Sequence, residues 1–289
     1  MKKVLLASTA LFALSSVAYA DPSISGSAEM GIRDNDNGND VEFHTDVDVT
    51  FKFSGETDNG LSFGFAVDLD EGGSGADAHA DDSEDGGVAI FISGDFGTLT
   101  LGDTDGGFDK AMKEAIIGGS IADNHEHEGY NGNSGFDDTY DNQVLRYDYS
   151  FDAFTLSASI EQDETGAGDE VFGLGFAGSF GDIGVGVGFQ DNGTDDVVGI
   201  SLDAMFGDIQ AILNYSDNSA SGDHVGLAVG YTSGPLLVAA NWGDFESGAN
   251  GVGLVVNYDL GGGAEVQFGY GSNDVANTDT WSLGVAMSF

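Results

Sequence analysis

The chain has 289 residues, of which 47 are Gly, two Pro and none Cys, and 50 acidic against 7 basic residues give a formal net charge of −43. That charge repels nucleic acid and anionic lipid surfaces, and the absence of cysteine excludes a disulfide-stapled scaffold. Twenty Phe and a regular hydrophobic alternation exclude a disordered acidic chain.

The first predicted element is the opening "MKKVLLASTALFALSSVAYA", with Lys2 and Lys3, an apolar run from Val4 to Val17 and an A-Y-A ending at Ala20. This is the three-part pattern of a secretory signal peptide. The apolar run is shorter than the roughly 20 residues a spanning helix needs, which argues against an anchor. Cleavage after Ala20 leaves one domain, residues 21–289. Without Lys2 and Lys3, five basic residues (Arg33, Lys52, Lys110, Lys113 and Arg146) stand against 50 acidic ones, a net charge of −45. Such a charge attracts cations; a saline habitat is a second source of the same acidity.

From there on, strands follow one another. "SISGSAEMGIR" places Ile24, Ala28, Met30 and Ile32 on one face and Glu29 and Arg33 on the other. "VEFHTDVDVTFKF" alternates with almost no error: Val41, Phe43, Val47, Val49, Phe51 and Phe53 oppose Glu42, His44, Asp46, Asp48 and Lys52. Side chains of a strand alternate between faces, so this segment is apolar on one side and charged on the other. "LSFGFAVDL", "VAIFIS", "TLTLGD", "QVLRYDYSF" and "FTLSASIEQ" continue the pattern, followed by "VFGLGFAGS", "IGVGVGFQ", "VVGISLDAM", "IQAILNYS" and "HVGLAVGYT". "LLVAANW", "VGLVVNYDL", "AEVQFGYG" and "WSLGVAMSF" complete about sixteen strands, each near the length a tilted strand needs to cross a membrane.

The connections alternate in length. "SGETDNG", "SGDFG", "SFDAF", "SFGDI", "MFGDI", "TSGPL" and "DLGGGA" are tight, and between them lie longer acidic segments such as "DNDNGND", residues 104–141, "DNGTDD" and "DNSASGD". Strands therefore run up and down between a compact rim and a ragged one, the pattern of an outer-membrane barrel rather than of a soluble Greek-key sandwich. Glu161, Asp203, Glu265 and Gln267 fall with the polar set, while Tyr147, Tyr149, Phe151, Phe154, Phe180, Phe206, Tyr258, Trp281 and Phe289 gather at strand ends, as interfacial girdles require. Open sheet edges are not tolerated in lipid, so the first strand must pair with the last. The fold expected is an all-β, closed antiparallel transmembrane barrel, wide enough for an aqueous bore.

"SGDFGTLTLGDTDGGFD" (residues 93–109), "SGETDNGLSFGF" and the terminal "WSLGVAMSF" resemble general bacterial porins of the alphaproteobacterial, Rhodobacter-like type, and the likeness covers essentially the whole mature chain. The resemblance implies a homotrimer of sixteen-stranded barrels in outer-membrane lipid and lipopolysaccharide, passing small hydrophilic solutes and ions by diffusion. It also implies a third external loop, here 104–141, that folds inward and constricts the bore. Within it "GFDKAMKEAIIGG" has Phe108, Ala111, Met112, Ala115 and Ile116 at helical spacing, with Lys110 and Glu114 four apart. This predicts an amphipathic helix resting on the wall and turning Asp109, Lys110, Lys113 and Glu114 to the lumen.

Arg33, Lys52 and Arg146 all fall on the polar face. In the resembling family, basic wall residues oppose acidic loop residues, which here pairs Lys52 and Arg146 with Asp103, Asp105, Asp109 or Glu114. The acidic excess predicts a preference for cations. No arrangement of Ser, His and acidic residues resembles a catalytic site. "DNHEHEG", with His125, Glu126, His127 and Glu128, has metal-ligand residue types but no partner motif, and reads as an exposed acidic loop. No cofactor is expected; the acidic loops offer oxygen ligands of the kind calcium takes, without a defined ligand set. A substrate-specific channel, a barrel serving as anchor, adhesin or enzyme, and a soluble acidic sandwich are the competing readings.

Overall fold

A computed structural model describes residues 21–34, 41–74, 87–121, 135–137, 139–140, 143–163, 166, 168–248, 250–274 and 278–289. Sixteen strands form. The first five are β1 (Asp21–Asp34), β2 (Glu42–Glu56), β3 (Ser62–Ser74), β4 (Val88–Gly94) and β5 (Gly97–Gly102), followed by one short helix, α1 (Gly107–Ala111). Next come β6 (Val144–Phe151), β7 (Phe154–Glu161), β8 (Val171–Phe180), β9 (Ile183–Asp191), β10 (Asp196–Phe206) and β11 (Ile209–Asn218). The last are β12 (Gly222–Ser233), β13 (Leu236–Phe245), β14 (Asn250–Gly261), β15 (Ala264–Asn273) and β16 (Thr278–Ser288).

Each strand pairs antiparallel with its neighbours in sequence, and β1 pairs with β16 to close the barrel. In the seam Ser27–Asp34 run opposite Trp281–Ser288, and beyond it the Phe289 N–H donates to the Gly26 carbonyl at 2.9 Å. Every described strand has a paired neighbour on each side, the condition lipid imposes on a sheet. The expected architecture is therefore the one found.

At the compact rim six connections take two residues each, at 95–96, 152–153, 181–182, 207–208, 234–235 and 262–263. Positive φ is supplied at 207 by glycine (φ 65°) and at 152 by aspartate (φ 57°), one of the few non-glycine residues that tolerate it, while the 95–96 turn takes it at the following Gly97 (φ 107°). The other rim departs from expectation at two places. "DNGTDD" and "DNSASGD" read as long loops, yet only residues 192–195 and 219–221 lie outside strands there. Pairing runs on past the apolar stretch, through Asp217 with Asp223 and Asn218 with Gly222, because ladder hydrogen bonds form as well in water as in lipid.

The two faces separate as the alternation predicts. Phe43, Ile90, Leu101, Leu174, Ile200 and Val229 are exposed on the outside, where hydrocarbon meets them. Rings cluster at the compact rim, Phe154 lying 5.8 Å from Phe151, 5.5 Å from Phe176 and 5.1 Å from Phe180 between centroids. Inward-facing residues are mostly small or polar, and the tightly packed interior is confined to one side of the bore.

Candidate functional site: the lumen and its internal loop

The segment after β5 does not leave the barrel. The Gly106 N–H donates to Asp137 Oδ2 at 2.6 Å and the Gly107 N–H to Ser159 Oγ of β7 at 2.7 Å, which turns the chain inward and starts α1. Phe108 is fully buried and packs with Met112 and Val197. The expected longer helix stops at Ala111, where Met112 takes extended angles (φ −81°, ψ 137°). The wall is the reason. The Lys113 N–H donates to Ser201 Oγ and the Asn214 side chain donates to the Lys113 carbonyl, both at 2.8 Å, holding the backbone straight along β10 and β11. Burial then alternates from Ala115 to Gly118, with Ala115 and Ile117 buried and Ile116 and Gly118 less so, rather than following a helical period.

Ala115 and Ile117 pack on Ile212, Ala228, Ala239 and Val255, four apolar residues that face inward from β11 to β14. Farther along, Asn257 of β14 both accepts from the Gly119 N–H (3.2 Å) and donates to its carbonyl (2.8 Å). Ile121, fully buried, ends the described path against Gly31 of β1 and Gly284 of β16. The return is pinned as well. The Phe136 N–H donates to Gln190, whose amide donates to Asp137, and the Tyr140 N–H donates to Glu161 Oε1 at 3.1 Å. The Tyr140 hydroxyl donates to the Asp169 carbonyl; burial first, then the carboxylates of Asp163 and Asp169, push its pKa above the ordinary phenol value.

Close approach is possible because the wall beneath the loop is lined with glycine. A Cβ on Gly188 would lie 2.6 Å from Phe108 Cδ2, one on Gly199 2.5 Å from Met112 Cε, and one on Gly230 2.7 Å from Ile117 Cγ2. Each fully buried large side chain contributes about 1.5–3 kcal/mol, and each anchoring hydrogen bond about 0.5–1.5 kcal/mol. The loop is thus a packed part of the barrel.

The expected site residues are placed as follows. Arg146, buried on β6, donates from Nε to Asp148 Oδ2 at 2.9 Å and from Nη1 to Thr104 Oγ1 at 2.7 Å and to the Asp105 carbonyl at 2.5 Å. The Asp105 carboxylate lies 4.0 Å away. Arg146 therefore does meet Asp105, but its main partner is Asp148, and it binds the start of the loop to the wall. Lys52 stands exposed on β2 and makes no ion pair within 4 Å among the described residues. Arg33 lies half-buried on β1. Asp103, Asp105, Lys110, Lys113 and Glu114 are exposed and Asp109 is half-buried; Lys110 and Glu114, expected as a helical pair, fall on either side of the helix end and form no ion pair among the described residues. Residues 125–128 lie outside the described residues, and no group of three metal-ligating side chains occurs among the described ones.

The wall facing the loop is acidic. Glu29, Asp46, Asp48 and Asp68 share the inward face of β1 to β3, with His44 Nε2 3.5 Å from Glu29 Oε2. The anchors Ser159, Glu161, Gln190, Ser201, Asn214 and Asn257 were not singled out as loop contacts from sequence. Their signal was present: five of the nine inward residues of "VFGLGFAGS" and "IGVGVGFQ" are glycine, which a hydrated wall does not require and a docked segment does.

A closed sixteen-strand barrel with an apolar outside, a polar bore and a loop folded into that bore is a transmembrane channel of the outer-membrane type. Residues 7–279 match the Gram-negative porin family, and the chain belongs to it. The porin of Rhodobacter capsulatus is 32% identical over 183 residues, 58% of this chain and 55% of that protein, so the match spans about half the relative's length. A solved porin structure is 26% identical with a TM-score of 0.72, covering 93% of this chain and all of the other. A variant of the Rhodopseudomonas blastica porin gives 21% identity and a TM-score of 0.73 over the same shares, a likeness of fold.

Proposed function

We propose that this protein is a passive diffusion channel of the outer membrane for small hydrophilic solutes and ions, preferring cations. The observation that carries the reading is the bore itself: an acidic open wall on β1 to β3 faced by a loop pinned to the opposite wall. Passage needs no conformational cycle, because packing and hydrogen bonds hold the loop along its described length. Selectivity then follows from fixed charge, with Glu29, Asp46, Asp48 and Asp68 concentrating cations along the open side. Arg33, Lys52, Lys110 and Lys113 temper that field, while Arg146 is neutralised by Asp148 and acts as an anchor. The resemblance adds a homotrimer in lipid and lipopolysaccharide, exported with residues 1–20 removed.

The test is single-channel current of the detergent-purified protein in a planar bilayer under a KCl gradient. Steps in threes with a cation-directed reversal potential are the expected outcome. Silence in KCl, with current appearing only with particular solutes, overturns the general channel in favour of a specific one.

A further inference from the structure

Between the loop and the compact rim the lumen widens into a recess of about 330 Å³, bordered by Lys110 and Lys113 from the loop and by Asp203 from β10. Its floor is made of Ala177, Gly184 and Gly186, which leave it free of bulky side chains. Two of the five basic residues of the mature chain meet here, in a bore whose charged residues are mostly acidic. Neither ammonium has an ion-pair partner within 4 Å among the described residues, so both lysines stand apart from Asp203. Asp203 is oriented by Gln210, whose amide reaches its two oxygens at 3.0 and 3.2 Å and leaves further acceptor capacity facing the recess.

Separated charges of opposite sign over a flat floor fit a solute that carries both signs itself. We propose that this recess is a binding subsite for small zwitterions of the α-amino-acid class, the carboxylate lying on Lys110 and Lys113 and the ammonium on Asp203. The inference rests on the channel reading above. A purely anionic solute gains from the lysines but meets Asp203, and a cation gains from Asp203 but meets both lysines, so only the zwitterion is attracted at both ends. Weak binding beside the narrow part of a pore raises local concentration and hence flux, provided release stays fast.

The test is osmotic swelling of liposomes reconstituted with the full mature chain, comparing L-alanine with neutral, nearly isosteric lactamide. The expected result is faster entry of alanine by about two- to fivefold, the effect of solvent-exposed ion pairs. Lys110→Met with Lys113→Met, and separately Asp203→Asn, are each expected to bring the ratio to unity. Lys110→Arg with Lys113→Arg, which keeps both charges, is expected to preserve it. Equal rates in the unmodified protein overturn the subsite, as does a ratio that survives loss of the lysines. Loss on removing the lysines but not Asp203 marks an anion site and also overturns it. KCl conductance of the same preparation separates the two levels: conductance without alanine preference defeats only the subsite, whereas no conductance defeats the channel.

Discussion

The two halves of the wall are built from different residues for different ends. From β7 to β14 the inward positions are mostly Gly, Ser, Asn, Gln and a few apolar residues, with Glu161 and Asp203 among the acidic exceptions, and the loop lies along them. From β1 to β3 they carry Glu29, His44, Asp46, Asp48, Lys52 and Asp68, and face the bore. One half is a packing surface and the other a hydrated electrostatic surface. A channel of this kind needs both, since a constriction seated on charged side chains would bury unpaired charges at high cost.

That contrast can be broken most severely by removing residues 108–118, which strips the covered half of its cover. Single-channel conductance is expected to rise severalfold; unchanged conductance would show that the loop does not narrow the bore. Arg146→Ala acts at the boundary between the halves. It leaves half-buried Asp148 without its guanidinium and frees Thr104 and Asp105, an expected loss of about 1–3 kcal/mol, to be read as earlier thermal unfolding by circular dichroism in detergent. Gly188→Val tests the seat alone, because the new side chain must occupy the space of Phe108. Overpacking of this sort costs about 1–3 kcal/mol, and the expected sign is a noisier, larger conductance with the barrel intact.

On the open half, Asp48→Asn with Asp68→Asn is expected to move the KCl reversal potential toward zero by a modest amount while leaving conductance within the wild-type range. A shift toward stronger cation preference would contradict the assignment of this surface. The smallest effect concerns Tyr140. Its phenol pKa is raised, so the hydroxyl remains a donor to the Asp169 carbonyl below the usual phenol value. Whatever this tether adds is fully present below about pH 10 and is lost as pH rises through the higher folded value. Ultraviolet titration of Tyr140→Phe against the parent is expected to lack one late-ionising phenol.

The strands and their closure were legible because alternation is a local signal: "VEFHTDVDVTFKF" states both of its faces within thirteen residues. The path of the loop was not. Phe108 to Ile116 satisfied a helical spacing, yet the contacts that straighten the chain after Met112 come from Ser201 and Asn214, 88 and 101 residues away. Asn257, 138 residues distant, carries the same kind of contact. Serine, asparagine and glycine on an inward face are equally compatible with water, so their role shows only when the partner segment is in place. Arg146 was recognised as important from its rarity, but its neutralisation by Asp148 two residues away depends on both lying on one face of β6 beside Ser157.

The notch that receives Ile121 belongs half to the first strand and half to the last. Gly31 and Gly284 are register partners across the seam, and on Gly284 a Cβ would lie 2.5 Å from Ile121 Cδ1. Before β16 has docked on β1 there is no notch to fill. Two glycines thus tie the end of the inner segment to closure of the cylinder: a barrel lacking its final strand has half of the Ile121 notch missing. The seat of residues 107–119 on β7 to β14 does not depend on the seam, so closure adds only the last fastening of the loop, at Ile121.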